Sequence, residues 1–164
     1  MSISIISAVA KNGIIGIKNG LPWKLSGDLK YFSKLTTGKN VLMGRNTFLS
    51  IVNIIGKPLP NRKNLVLSET KDGIAGAEIL DSWQKVIDLA KTTEIFIAGG
   101  ANVYKQALPY ADKLYITEVD STPNGDVSFP EYNKNDWKLI SEESHLKDNN
   151  NEYNYTFKVY ERKK

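Results

Sequence analysis

The strongest constraint on this chain is the rhythm of its short apolar runs. Residues 2–9, SISIISAV, are rich in Ile, Ser and Val and do not keep a clean apolar–polar alternation. A strand of that kind must be covered on both faces, as parallel strands are. Further strand-like runs follow at 40–43, 64–68, 77–80, 94–98 and 113–119. Helical signals lie between most of them. Ser26 and Gly27 start one helix, with Leu29, Phe32 and Leu35 at helical spacing and an end near Thr37 and Gly38. Gly44 and Arg45 open a second that runs to about Ile51, after which Gly56, Pro58 and Pro60 make residues 52–62 irregular. Ser82 caps a third, whose Trp83, Val86, Ile87 and Ala90 form one stripe, and a fourth spans 101–108 before Pro109. Two alternating segments, 137–144 and 153–161, flank the polar run KDNNNEYN and read as a C-terminal hairpin. The expected fold is α/β: a mostly parallel central sheet with an antiparallel C-terminal strand and helices on both faces, in one domain spanning 1–164.

Composition excludes several kinds of chemistry. With no Cys there can be no disulfide and no thiolate metal site, which suits a reducing cytoplasm. A single His, His145, rules out a His-based metal cluster, so no metal is expected; its polar neighbours suggest an exposed side chain. No run is long enough to span a membrane, and the apolar start lacks the basic flank of a signal peptide. Charge is uneven: residues 1–68 hold ten Lys or Arg against Asp28 alone, whereas 69–164 hold twelve against seventeen acids. Such a field suits a polyanionic small ligand. The lysines are scattered and no nucleic-acid motif is present, so nucleic acid is not an expected partner. Only three of the 22 cations are Arg, which marks Arg45, Arg62 and Arg162 as positions where a planar fork could matter.

Asp28 sits in LPWKLSGDLKYFSKL, with Phe32 four residues on and Leu35 seven on. One helical face therefore carries a carboxylate beside apolar groups, which is costly without a partner. The other reading is a first-turn acid that favours the helix dipole and points to water. Residues 10–24, with three Gly, two Asn and a Pro, form a long loop of the sort that is functional or mobile. Twice a strand passes through Gly into a helix, at VLMG-RNTF and IFIAGG-ANVY. Helix N-termini offer unpaired N–H groups to phosphate, so the pair suggests a ligand with a pyrophosphate and another phosphate. Neither junction is a GxGxxG or GxxxxGK[ST] motif.

Together these stretches resemble dihydrofolate reductase. The residues that carry the likeness are IGIKNGLPWKLSGDLKYF, VLMGRNTF, KPLPNRKNLVLS, IAGGANVY, LYIT and GDVSFP, in family order over essentially the full length. The resemblance implies NADPH-dependent reduction of 7,8-dihydrofolate to tetrahydrofolate, binding of dihydrofolate and antifolates, and a cytoplasmic monomer. It gives Asp28 the pterin amidine edge, Thr117 the hydroxyl that orients that acid, and Leu21 and Trp23 places on the active-site loop. Ile6, Ala8, Leu29, Phe32, Ser50, Ile51, Leu59, Ala98 and Tyr104 fall to the substrate pocket, and Arg62 to the glutamyl α-carboxylate. Arg45 and Ser68 fall to the 2′-phosphate of NADPH. Thr47, Gly99, Gly100, Ala101 and Tyr104 fall to its pyrophosphate and nicotinamide side. Ala8, Ile15, Gly16, Gly44, Asn46, Leu67, Glu69, Ala98, Asn102 and Val103 complete the cofactor set. Gly125 and Asp126 match a loop that braces 10–24.

Three features depart from the family pattern. Val52–Ile55 stand inserted between Ile51 and Gly56, and three apolar residues in four suggest that they pack over the core or the folate tail. Ala98 stands where a larger aliphatic is common, and Asn102 where some members carry a second Arg. Burial beneath the 10–24 loop is expected to raise the Asp28 pKa modestly. Rival readings are another NADPH-dependent pterin or pyrimidine reductase on the same fold and a non-catalytic nucleotide-binding module.

Overall fold

In a computed structural model, which describes residues 2–18, 20–70 and 74–164, eight strands form one sheet. In chain order the elements are β1 (Ile3–Ala10), β2 (Ile14–Gly16), α1 (Ser26–Thr36), β3 (Asn40–Gly44), α2 (Arg45–Ile55), β4 (Lys63–Leu67) and β5 (Glu78–Leu80). They continue with α3 (Trp83–Ala90), β6 (Ile95–Ile97), α4 (Ala101–Ala107), β7 (Lys113–Val119), β8 (Val127–Ser128), β9 (Trp137–His145) and β10 (Tyr155–Arg162). The main sheet runs β5-β4-β3-β6-β1-β7-β10-β9. It is parallel from β5 to β7, after which β10 pairs antiparallel with both β7 and β9.

Alternation along the central strands sends side chains to two helical layers. Leu42 and Leu65 join Val86 and Ala90 of α3 and Val103, Tyr104 and Ala107 of α4. Val41, Met43 and Val66 point the other way, onto Phe48 of α2, with Phe32 of α1 packed beside them. Both sheet faces are therefore covered, which is why the central strands tolerate continuous apolar sequence. Because the strands are parallel, the ends of β3, β4, β5 and β6 that lead into loops and helices share one edge, where open α/β sheets bind ligands.

Local structure differs from the sequence reading in several places. Helix α2 continues through Val52–Ile55 and stops only at Gly56, whose φ of +81° closes the helix, so 52–55 are regular. Within that added turn only Val52 packs against the core; Asn53, Ile54 and Ile55 are exposed. The 10–24 loop contains strand β2, which pairs with β8; Asn19 lies outside the described residues. Helix α1 has Leu25 rather than Ser26 or Gly27 at its N-cap, and no local side chain caps it. Instead Asn151 Oδ1, from the β9–β10 connection, accepts the Gly27 N–H at 2.9 Å. His145 is half-buried and stacks on Tyr155, with ring centroids 5.1 Å apart, rather than lying free in solvent.

Candidate active site

Thr117 on β7 sits in register with Ala8 on β1, and its hydroxyl donates to Asp28 Oδ1 across 2.6 Å. Thr117 is buried, so this bond is shielded from water. Asp28 as a whole residue is half-buried, yet its carboxylate is closely surrounded by protein. Desolvation raises its pKa above the usual carboxylate range, and the bond from Thr117 opposes that rise without cancelling it. The solvent-pointing alternative for Asp28 is therefore wrong: the acid faces β7 and has a partner.

Around this pair, Phe32, Ile51, Leu59 and Ala98 pack against one cluster over Val41 and Met43. Ile6 is buried on β1, and its carbonyl accepts the buried Tyr104 hydroxyl at 2.8 Å. Burial pushes the Tyr104 pKa up, so the phenol stays protonated. Trp23 is buried with Ala8 packed nearby, and its indole N–H has no partner among the described residues. Leu21 and Leu29 are more than half exposed, at 53% and 59%, so they present apolar surface to solvent. Arg62 is held in place: its Nε donates to Pro60 O at 2.8 Å, one terminal nitrogen donates to Thr36 Oγ1 at 3.2 Å, and its guanidinium lies 5.9 Å from the Phe32 ring centre. Desolvation lowers its pKa, but a guanidinium stays charged at any physiological pH.

The 10–24 loop is fixed by the segment after β7. Asp126 N–H donates to Gly16 O at 3.1 Å, and the Asp126 carboxylate accepts the Lys18 N–H at 3.1 Å. A Cβ on Gly125 would lie 2.4 Å from Ile14 Cγ2 and 2.7 Å from Gly16 O, so only glycine allows this approach.

A cleft of about 580 Å³ opens at the shared strand edge. Gly44, Arg45, Asn46 and Thr47 line it after β3, and Leu67, Ser68 and Glu69 after β4. Gly100, Ala101, Asn102 and Val103 line it after β6. Among the described residues Arg45 is the one cation in its lining, half-buried and donating to Thr70 Oγ1 at 3.3 Å, and Glu69 and Asp81 are the two acids there. The N-termini of α2 and α4 lack side-chain caps, so their first N–H groups stay available to a ligand. Gly44 N–H donates to Gly99 O at 2.8 Å, joining the two strand–helix junctions. A Cβ on Gly44 would press on Val103 at 3.2 Å, and one on Gly100 on Thr47 at 3.3 Å. The remaining expected cofactor residues, Ala8, Ile15, Gly16, Ala98, Gly99 and Tyr104, do not line this cleft, and neither does Asp28. The sequence reading missed Asp81, Ser82, Trp83 and Gln106, which do line it. The first three follow β5 at the same edge, and Gln106 lies one helical turn beyond Asn102. Parallel strand order was the signal that could have found them.

A cleft at the edge of a parallel sheet, lined by Arg45 and by the uncapped N-termini of α2 and α4, is where α/β proteins of the nucleotide-binding class hold their ligands. The family described as dihydrofolate reductase matches residues 2–162. Dihydrofolate reductase of Bacillus subtilis (strain 168) is 44% identical over 163 residues, covering 98% of this chain and 95% of that protein. The Haemophilus influenzae enzyme of the same name is 40% identical, covering 99% of this chain and all of that protein. A solved structure of dihydrofolate reductase from Enterococcus faecalis, complexed with NADP(H) and RAB-propyl, superposes with a TM-score of 0.92 at 32% identity, covering 99% of this chain and 97% of that one. The chain belongs to the dihydrofolate reductase family.

Proposed function

We propose that the protein reduces 7,8-dihydrofolate to 5,6,7,8-tetrahydrofolate with NADPH, as a single-domain cytoplasmic monomer. The observation that carries the reading is the Thr117–Asp28 pair: a desolvated acid whose one oxygen is held at 2.6 Å, leaving the other to accept donors from a flat heterocycle. The strand-edge cleft fits the cofactor by its chemistry. It combines one guanidinium, hydroxyls at Thr47 and Ser68, an uncapped helix N-terminus and close glycine backbone. Held there, NADPH would supply the hydride that the reduction needs.

The chain's residues supply position and electrostatics. Asp28 accepts the 2-amino and ring N–H donors of the pterin, fixes its orientation and polarises it toward protonation at N5. Thr117 holds the acid in place and favours its ionised form. Phe32, Ile51, Leu59 and Ala98 wall the ring from water, with Leu21 and Leu29 closing over it from the loop and α1. The Trp23 indole N–H is a donor able to hold the water that carries the N5 proton. Arg62, already aligned by Pro60 and Thr36, pairs with the α-carboxylate of the glutamate. Arg45 and Ser68 take the 2′-phosphate, and Thr47 with the Gly99–Gly100 turn takes the pyrophosphate. Ala98 leaves more room beside the pterin and nicotinamide than a larger aliphatic would.

The test follows reduced-nicotinamide absorbance with NADPH, with and without dihydrofolate. Oxidation that requires dihydrofolate supports the reading. NADPH binding without dihydrofolate-dependent oxidation would instead identify a nucleotide-binding module.

A further inference from the structure

Among the described residues few polar side chains are buried, and Asn64 is one that the proposed chemistry leaves unused. It is the second residue of β4 and stands in register with Val41 of β3. Strand alternation puts it on the same face as Val66, the face that meets Met43 and Phe48. An amide on an apolar face is costly unless its polar groups are satisfied. Here they all close on one short segment. Asn64 Oδ1 accepts the Leu59 N–H at 3.1 Å, and Nδ2 donates to Leu59 O at 2.9 Å and to Arg62 O at 3.2 Å. Both amide hydrogens are thereby committed, and the side chain clasps the two ends of the turn 59–62. Asn61, inside that turn, takes a left-handed φ of +61°, a conformation that Asn adopts more readily than most residues. An aliphatic residue at position 64 would fill the same space and hold none of this backbone.

The turn decides where the Arg62 guanidinium points. Nε of Arg62 donates to Pro60 O, a carbonyl of the same turn, so the side chain is anchored to backbone that Asn64 fixes. Its far end donates to Thr36 Oγ1, which is buried and in turn donates to Phe32 O at 2.7 Å. Asn61 O accepts the Gly38 N–H at 2.8 Å, tying the turn to the end of α1. Those two bonds from Arg62 leave further N–H donors of the fork for a carboxylate. A bidentate pair demands a set orientation of a long side chain that is otherwise free to rotate. We propose that Asn64 is a positioning residue for the substrate: by closing the 59–62 turn it aims Arg62 at the glutamate α-carboxylate. This rests on the proposed dihydrofolate reduction and assigns a part in it to a side chain whose own polar groups are spent on the protein.

Asn64→Ala tests the assignment, with KM and kcat measured for dihydrofolate and for a 6-methyl-7,8-dihydropterin lacking the aminobenzoyl-glutamate tail. The KM for dihydrofolate divided by that for the tailless pterin should rise about three- to tenfold, part of what losing a charge-assisted hydrogen bond costs. The kcat for the tailless pterin should stay at its wild-type value. Placed in an Arg62→Ala background, the same substitution should move the ratio by less than about twofold, because residues that act through one contact are not additive. Asn64→Ser leaves a hydroxyl at the site, is too short to clasp the turn and carries the same expectations, so it serves where Asn64→Ala fails to fold. A role confined to stability would lower the melting temperature and leave the ratio unchanged, which overturns the proposal. A full further rise in the Arg62→Ala background overturns it as well, and either result leaves the reductase reading intact. No turnover of dihydrofolate by the unmodified protein overturns both.

Discussion

Replacing Arg45 by Ala removes the only cation that the described residues contribute to the lining of the strand-edge cleft. A hydrogen bond between charged partners is worth about 1.5–3 kcal/mol. Arg45 must give up its present bond to Thr70, a long contact at 3.3 Å from an exposed pair, which offsets about 0.5–1 kcal/mol of that. The net gain from clasping a 2′-phosphate is therefore about 1–2 kcal/mol, or roughly five- to thirtyfold in affinity. NADH lacks that phosphate and should lose little. Asn102 adds no second guanidinium to make up the loss. Titration calorimetry of both cofactors against both proteins measures the change in preference directly. A preference for NADPH that survives Arg45→Ala would transfer the phosphate to Ser68 or to a lysine outside the cleft lining, and would refute the assignment.

Arg62→Ala should weaken dihydrofolate about ten- to a hundredfold while hardly affecting a pterin without the glutamate, because only the tail carries the carboxylate that the aligned guanidinium pairs with. Equal losses for both ligands in a KM comparison would contradict it. Asp28→Asn should stabilise the fold at neutral pH. The Asp28 pKa is raised in the folded state, so between its ordinary value of 3.8 and the raised value the folded chain binds more protons than the unfolded one. Wild-type stability then falls as pH rises through that window, and Asn escapes the loss. Thermal melts at pH 7 should favour the variant, with the advantage gone below about pH 4; a variant destabilised at pH 7 would refute the sign. Gly125→Ala should cost about 1–3 kcal/mol by forcing a methyl against Ile14 and the Gly16 carbonyl, with a fall in turnover as the loop shifts. A melting temperature equal to wild type would show that the contact is easily relieved.

How much of this was legible beforehand depends on the range of the interaction concerned. β7 is legible to its ends because Lys113–Val119 carries its own alternation and follows a proline-terminated helix. The breakers Gly56, Pro58 and Pro60 point to an end of α2 near Ile51, four residues early, whereas only Gly56 takes the left-handed conformation that ends the helix. Strand β2 is three residues long and exists through pairing with β8 more than a hundred positions away, which leaves no periodicity to detect. The cap on α1 comes from Asn151, 124 positions on, so a search for a local cap at Ser26 had nothing to find. Asp28 stood out through isolation among cations, but its partner, 89 positions away on β7, came from the family resemblance rather than from spacing. Asp81, Ser82 and Trp83 were unremarkable as sequence and become cleft residues once β5 takes its parallel place beside β4.

The role given to Asp28 is decided by the pH–rate profile of Asp28→Asn beside the unmodified enzyme, with NADPH affinity titrated in parallel. Asn keeps the shape and still accepts from Thr117, but it loses the charge and places an NH2 where a carboxylate accepted the pterin's donors. Turnover of dihydrofolate should fall by orders of magnitude at neutral pH, recover in part at low pH where the substrate arrives protonated, and leave NADPH binding nearly intact. Wild-type rates at neutral pH in Asp28→Asn would contradict it.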